Sequence, residues 1–265
     1  MKLNTIAAIC GAFAAVAVVI GLWIGLDQHW GVLVGAGAFA VPGYIIAAAT
    51  AAGSPKKGER IVSEVTRGVL IGVNAAINAA LCVMIVNAVS DDGPAGAIGG
   101  TAGALTLLSA VAPVSKFEVY QGLVGYLNWA LPMSWPIAAI GLLFVILNLI
   151  GWGVTGGKSG TAKVTDFAVD WPTGTFFMKG GWISNLNPNH TAFNMGNFSF
   201  VDKSSTDIHK SHEAGHTLNL AAFGWVFHLI GAFDQIVLGR QGKAYSERLA
   251  ESNASSGGST ISMWA

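Results

Sequence analysis

The sequence has few charged side chains: only 11% of its 265 residues are Asp, Glu, Lys or Arg, whereas 52% are apolar. Soluble domains carry about 25% charged residues. Since one ordinary core does not enclose that much apolar surface, the composition argues against a soluble domain and indicates contact with a lipid bilayer. Basic and acidic side chains balance at 14 each, so the chain has no net charge that would recruit nucleic acid.

Cysteine is also scarce. Cys10 and Cys82 both lie in long apolar runs, and two cysteines so placed do not make a disulfide framework. The first apolar run, Thr5–Leu26, is longer than the roughly 7–15 apolar residues of a secretory signal. We therefore expect it to be an uncleaved transmembrane helix.

Five apolar stretches have the roughly 17–25 residues that a helix needs to cross a membrane. They are Thr5–Leu26, Val32–Ala52, Val69–Val89, the weaker Gly-, Ala- and Thr-rich Ala95–Pro113, and Trp135–Trp152. Residues 1–153 are thus predicted to form an α-helical membrane bundle of four or five transmembrane helices. The aromatic, amphipathic segment Lys116–Ser134 either lies along the membrane interface or extends its neighbours, and the pattern leaves both open.

Basic side chains alternate between the loops. Four of them fall in the loop Gly53–Arg67, and Lys116 lies two loops later. The positive-inside rule makes both loops cytoplasmic. With five spans, the chain after residue 154 emerges on the periplasmic or extracellular side, and this side is reversed if the fourth stretch does not cross.

Composition changes at Gly153, where a Gly-, Ser- and Thr-rich linker leads to residue 160. Residues 154–265 are predicted to form a separate small α+β domain. Its expected strands, separated by turn residues, are Ala162–Val169, Thr175–Met178, Gly181–Ser184 and Ala192–Val201. The expected helices are Asp207–Leu220 and Ala244–Asn253, followed by a mobile Ser- and Gly-rich tail.

Five of the six histidines lie between residues 190 and 228, and two of them belong to His212-Glu213-Ala214-Gly215-His216. On a helix, His212 and His216 are one turn apart and point the same way, so their imidazoles can bind one Zn²⁺. Glu213 adjoins the first ligand and can act as general base toward a water molecule activated by the metal. The alternative is a solvated helix face on which the two histidines have this spacing by chance.

Two other residues that follow the motif could take part in a metal site. His228 is an alternative metal ligand, although its apolar surroundings also suit a core or interface histidine. Asp234 could hydrogen-bond a zinc-binding histidine as an outer partner, or it could simply end a helix. The metzincin extension needs Gly and His where this chain has Asn219 and Ala222, which excludes that class.

Residues 175–253 resemble the small HExGH zincin-like, gluzincin-type metallopeptidase domains of bacterial membrane proteins. The resemblance lies in the Gly-rich strand pair Lys179–Ser184 and Phe193–Val201, the metal helix His212–Asn219 and the later Ser246–Ala250. It implies a zincin-like fold in a protein of the bacterial inner membrane. It also implies a third zinc ligand from the later helix, which Glu247 would supply.

Three further expectations come with this resemblance. Glu251 is the substitute for Glu247 or its hydrogen-bonding partner, unless both belong to a solvated face. Tyr245 is a candidate to stabilise the oxyanion. The segment Asn194, Met195, Gly196 and Asn197 is expected to form an edge strand that binds substrate by strand addition.

The sequence thus predicts a membrane-anchored, zinc-dependent metallopeptidase that hydrolyses a peptide or protein near the membrane surface. A close variant is an intramembrane peptidase of the site-2 type. The alternative is a catalytically inactive accessory or assembly subunit that uses a zincin fold to bind partner membrane subunits.

Overall fold

A computed structural model describes residues 57–90, 93–110, 112, 118–158, 160, 162–185, 192–201 and 207–228. Over these residues the chain is mostly helical and contains a four-stranded sheet. The predicted spans Thr5–Leu26 and Val32–Ala52 and the predicted helix Ala244–Asn253 lie outside the described residues.

Four helices precede the sheet along the described chain. They are α1 (Lys57–Val89), α2 (Ala95–Ser109), α3 (Glu118–Leu127) and α4 (Trp135–Val154), the last entered through a 3-10 turn at Pro132–Ser134. Two stretches in this part of the chain, Leu70–Val89 and Pro132–Val154, are long and apolar enough to cross a membrane. They coincide with the third and fifth predicted spans. Helix α2 is apolar but shorter, at 15 residues, and the bundle of four or five spans stays a prediction.

Helices α1 and α2 pack closely because small residues line their contact. A Cβ atom added to Gly99 would lie 2.6 Å from Val83 Cγ2 and 2.7 Å from the carbonyl oxygen of Ala79. Such side chains allow two helix backbones to approach. A buried hydrogen bond from Asn78 Nδ2 to Thr106 Oγ1, 3.0 Å long, joins the same helices.

The sheet has the strand order β1-β2-β4-β3. Its strands are β1 (Val164–Asp170), β2 (Thr175–Gly180), β3 (Ala192–Met195) and β4 (Phe198–Val201). Strand β2 pairs antiparallel with β1 and parallel with β4, and β3 and β4 form an antiparallel hairpin. The order leaves β1 and β3 at the two edges of the sheet.

The predicted strand Gly181–Ser184 is wrong: Ile183–Asn185 form a 3-10 turn instead. Gly180 and Gly181 have φ angles of +73° and +93°, a region that glycine adopts readily and that ends an extended strand. The side chain of Asn148 then accepts the Ile183 N–H at 2.7 Å. The chain therefore turns onto α4 at the point where alternation alone predicted a strand.

Helix α5 (Asp207–Phe223) lies between the sheet and the preceding helices. Ala214 and Leu218 pack on one side in a buried cluster that includes β2 and β4 side chains. Ala222 and Phe223 pack in another with Ile71 of α1 and Leu107 of α2. The helix that carries the histidine motif thus shares its core with both the sheet and the apolar helices.

Helix α4 has two unlike faces. One face carries the sheet, where the side chain of Asn148 donates to Met178 Sδ at 3.1 Å and Gly141 lies against Phe198. The opposite face exposes a row of large apolar side chains, Ile140, Leu142, Leu143, Ile146, Leu149 and Ile150. Exposed apolar area of this extent marks contact with lipid or with another apolar surface.

Candidate metal centre

The C-terminal end of α5 is held by the side chain of Asn74 from α1. Gly224, with φ +66°, ends the helix, and its N–H donates to the Leu220 carbonyl at 2.8 Å. The carbonyls of Ala221 and Ala222 accept from Asn74 Nδ2 at 3.0 and 2.9 Å. The last carbonyls of a helix lack partners within it, so an amide of α1 supplies what the helix itself does not.

The three charged or ionisable side chains of the motif meet at one place on α5. The ligand atoms of His212, Glu213 and His216 all lie within 4.8 Å of one another. The Nε2 atoms of the two histidines are 3.0 Å apart, and the rings are almost perpendicular, at 87°. Two nitrogens about 2.05 Å from one tetrahedral zinc ion would be about 3.3 Å apart. The two nitrogens could therefore bind one metal ion after a small increase in the distance between them.

The carboxyl group of Glu213 is buried, with 5% of the residue exposed. Its Oε2 atom has no hydrogen-bond partner within the described part of the chain. Burial disfavours the charged form and raises the pKa of Glu213 to about 8. An orphaned buried oxygen next to two imidazoles is well explained by a cation or water at this point.

The His216 ring is adapted to stay neutral. Burial, and then the neighbouring rings of His212 and His228, hold the pKa of His216 well below its ordinary value of 6.5. A histidine must be neutral to bind a metal. The same surroundings that disfavour a proton on His216 therefore leave its nitrogen free for a metal ion over a wide pH range.

The β3–β4 hairpin is anchored to α5. Asn194 Nδ2 donates to Ser199 Oγ at 2.9 Å, to Thr217 Oγ1 at 3.0 Å and to the Glu213 carbonyl at 3.2 Å. The Thr217 hydroxyl in turn donates to the Gly196 carbonyl at 3.1 Å. Strand β3 is thereby held beside the motif, and its other edge has no neighbour within the described sheet.

The four residues expected to form the edge strand divide into two groups. Asn194 and Met195 belong to β3, whereas Gly196 and Asn197 form the turn to β4. Asn197 Nδ2 donates to the carbonyls of Gly125 and Gly174 at 3.1 and 3.0 Å. The side chains of Asn194 and Asn197 thus hold the fold together, and strand addition at β3 would depend on its backbone.

Sequence reasoning missed the buried amides that surround α5. Asn74 and Asn194 are two of them, and Asn128 is a third, because its Nδ2 donates to the Thr217 carbonyl at 2.9 Å. Burying an amide is unfavourable unless it is hydrogen-bonded. An asparagine within an apolar helix, as at Asn74, was the available signal that such a partner exists.

The remaining candidates are placed as follows. His228 lies near His216 but does not belong to the group of three, and burial lowers the pKa of His228 to about 4. Asp234, Tyr245, Glu247 and Glu251 lie outside the described residues.

Comparisons with models of protein families, with curated proteins and with solved structures give no match for this chain. The resemblance to HExGH metallopeptidase domains therefore rests on the quoted residues alone.

Proposed function

We propose that this protein is a membrane-associated, zinc-dependent peptidase with its centre on α5. The observation that carries the proposal is the approach of the two Nε2 atoms of His212 and His216 to 3.0 Å, beside the buried, unpartnered Glu213 Oε2. Two imidazoles one helical turn apart, with a carboxylate next to the first, are the ligand pair and the general base of a hydrolytic zinc site.

Each residue has a distinct role in this proposal. His212 and His216 hold the ion, and Glu247 remains the predicted third ligand. A zinc ion bound there would supply Lewis acidity and bring the pKa of a water molecule towards about 7. Glu213 accepts the proton of the attacking water and later passes it to the leaving amine.

The substrate of this proposal is an extended peptide segment. Strand β3 lies beside α5, because the Asn194 side chain joins it to the Glu213 carbonyl, and its outer edge pairs with no other strand of the described sheet. An extended peptide that pairs with β3 would run past the motif, and main-chain hydrogen bonds would hold it with little dependence on its sequence.

The proposed setting is a membrane surface. The ends of two stretches that are apolar enough to cross a membrane meet the end of α5: Asn74 bonds its last carbonyls, and the Met133 carbonyl accepts the Trp225 N–H at 2.9 Å. This arrangement favours a centre at one face of the bilayer. Both of these ends follow loops that the positive-inside rule makes cytoplasmic, so the contacts favour the cytoplasmic face of a bacterial inner membrane. The count of five spans predicts the periplasmic or extracellular side instead.

The test uses the full chain, purified in detergent from zinc-replete cells. Zinc is measured by mass spectrometry, and hydrolysis is measured with a library of quenched fluorescent peptides. We expect about one zinc ion per chain. Glu213→Gln should keep the zinc and lower turnover by at least roughly 10²-fold. His212→Ala should lose the zinc.

Two results would contradict the proposal. A wild-type chain without zinc under these conditions would refute the metal centre. A chain that holds zinc but hydrolyses peptides no faster than Glu213→Gln would refute the enzyme, and would favour the accessory or assembly subunit, with the exposed face of α4 as the surface for partner subunits.

A further inference from the structure

Helix α4 has an apolar face that no other element of the described chain covers. The chain has no Asp, Glu, Lys or Arg between Glu118 and Lys158, and Pro132–Val154 reaches a mean hydropathy of 2.4. The large exposed side chains of the helix are all apolar: Trp135, Ile140, Leu142, Leu143, Ile146, Leu149, Ile150, Trp152 and Val154. A surface of this extent needs an apolar partner.

Tryptophan side chains lie at both ends of this face. At the start of α4, Trp135 Nε1 donates to the carbonyl of Trp129 at 3.0 Å, and both residues are exposed. Trp152 and Trp182 are exposed at the other end, beside Gly151. The helix from Trp135 to Trp152 is about 25 Å long. Since the hydrocarbon core of a bilayer is about 30 Å thick and tryptophan is enriched at its two interfaces, the spacing suits a membrane.

Basic side chains follow the Trp152 end of the face. Lys158 and Lys163 are both exposed, and the Lys163 carbonyl accepts the N–H of Gly181, the residue before Trp182, at 2.9 Å. Long lysine side chains near a helix end extend to the headgroup level, where they meet lipid phosphate. A phospholipid has uncharged acyl chains and an anionic phosphate, so it is complementary to an uncharged face with lysines beyond its end. This pattern favours lipid over another protein as the partner.

The opposite face of α4 carries the sheet along the same length. Near the start of the helix, a Cβ atom added to Gly196 would lie 3.0 Å from the Cα atom of Ala138. Halfway along, the ring centroids of Phe144 and Phe200 are 5.9 Å apart. Closer to the end, Asn148 Nδ2 donates to a sulfur atom of β2 at 3.1 Å. The sheet therefore extends beside α4 over most of the distance between the two tryptophans.

We propose that α4 crosses the bilayer with its apolar face against lipid acyl chains, and that the sheet behind it lies at the depth of the hydrocarbon core. Phe200, on the inner strand β4, then lies near the midplane, because its partner Phe144 is about halfway along α4. The boundary near residue 153 consequently does not divide a membrane region from an extramembrane domain, since α4 and the sheet form one unit. This inference needs neither zinc nor hydrolysis.

Strand β1 forms one edge of this sheet. It exposes Thr165 and Asp166, and its outer edge pairs with no other strand of the described sheet. At membrane depth, such backbone occurs where protein buries it or where it lines a water-filled cavity, and charged side chains occur in the same two environments. Because Asp166 is exposed, we expect water at this edge.

The test measures the collision rates of spin labels on the full chain, reconstituted in vesicles of phosphatidylethanolamine and phosphatidylglycerol. Cys10→Ser and Cys82→Ala remove the native thiols. Molecular oxygen concentrates among acyl chains, whereas nickel ethylenediaminediacetate, a polar complex, stays in water. One label at a time is placed on the apolar face of α4, or on β1 as the control: Leu143→Cys, Ile146→Cys, Ile150→Cys, Val154→Cys or Asp166→Cys.

We expect the ratio of oxygen to nickel collision rates to be highest at Leu143 and to fall steadily toward Val154, about 16 Å farther along the helix. The ratio at Leu143 should exceed that at Asp166 by at least about tenfold, because hydrocarbon excludes the polar complex. Each variant should keep the wild-type Tm, since only exposed side chains are replaced.

Three results would overturn the inference. Equal ratios at the four α4 positions would show a helix that lies in the plane of the membrane. Slow collisions with both reagents at all four would show that another subunit, or a second copy of this chain, covers the face. Equal ratios at Leu143 and Asp166 would place both in lipid or both in water. None of these results depends on zinc or turnover, which the experiment with Glu213→Gln measures separately.

Discussion

Glu213 gives the metal-free protein a specific dependence of stability on pH. Its pKa is about 8 in the folded chain against an ordinary value of 4.5. Between these two pH values the folded state binds one proton more than the unfolded state, so the free energy of unfolding falls as the pH rises. A pH difference of one corresponds to about 1.4 kcal/mol. At pH 7 the buried carboxyl group therefore lowers stability by on the order of 3 kcal/mol relative to pH 4.5 and below.

Glu213→Gln removes this titration and leaves the volume unchanged. After removal of metal with a chelator, we expect the free energies of unfolding of the variant and the wild type to differ by a constant amount below about pH 4.5. As the pH rises to 8, the variant should become increasingly more stable than the wild type. The gain at pH 7 corresponds to roughly 6–12 °C in Tm for a chain of this size. Thermal unfolding in detergent, followed by circular dichroism from below pH 4.5 up to pH 8, measures both parts of this prediction.

Zinc-loaded protein is the control for this experiment. A nearby dication favours the charged carboxylate, so added zinc should shrink the pH-dependent difference in stability between the wild type and Glu213→Gln. Zinc binding to the neutral histidines changes both curves alike. Parallel curves for the two metal-free proteins across the whole range would refute the burial of Glu213 and the reasoning built on it.

Two further predictions concern packing and the end of α5. Gly99→Ala should destabilise the chain by about 1–3 kcal/mol, because the new methyl group would lie 2.6 Å from an α1 side chain. Gly100→Ala, with nothing within 4 Å, should stabilise α2 by about 0.5–1 kcal/mol, and equal Tm changes for the pair would contradict the described packing. Asn74→Ala leaves two buried carbonyls without their donor and should lower stability by about 1–3 kcal/mol. Asn74→Asp, which has no N–H to donate, should be no more stable than Asn74→Ala. A wild-type Tm for either variant would refute the stabilising role of these two hydrogen bonds.

Local patterns predicted much of the described fold. The helix period and apolar length of Val69–Val89 and Trp135–Trp152 identified two long apolar helices, and the structure has them within a few residues. Alternation and turn residues located the strands β1 and β2. The segment Ala192–Val201, predicted as one strand, is instead a hairpin that turns at Gly196 and Asn197. The geometry of the candidate site follows from helical spacing, since residues four apart share a face, and the structure brings His212 and His216 together.

Long-range partners were not predictable in this way. The bonds from Asn74 and Asn128 to α5 join residues 147 and 89 positions apart, and no local period encodes such a pairing. The incorrect strand at Gly181–Ser184 has the same origin, since a side chain of α4 takes the Ile183 N–H. The position of His228 depends on a chain reversal at Gly224 and on packing against Phe227, both of which require the folded neighbours.

The amide cap on α5 has a mechanical consequence. Asn74 lies in a stretch of α1 that is apolar enough to cross a membrane. Its side-chain amide donates hydrogen bonds to the Ala221 and Ala222 carbonyls of α5, the helix that carries the motif. An axial shift of α1 by one residue would be about 1.5 Å, enough to break both bonds unless α5 moves too. An axial movement of α1 is therefore expected to carry α5 with it. If α1 spans the bilayer, a change in bilayer thickness or tension would reach the two histidines through Asn74 and through the packing of Ile71 with Ala222 and Phe223.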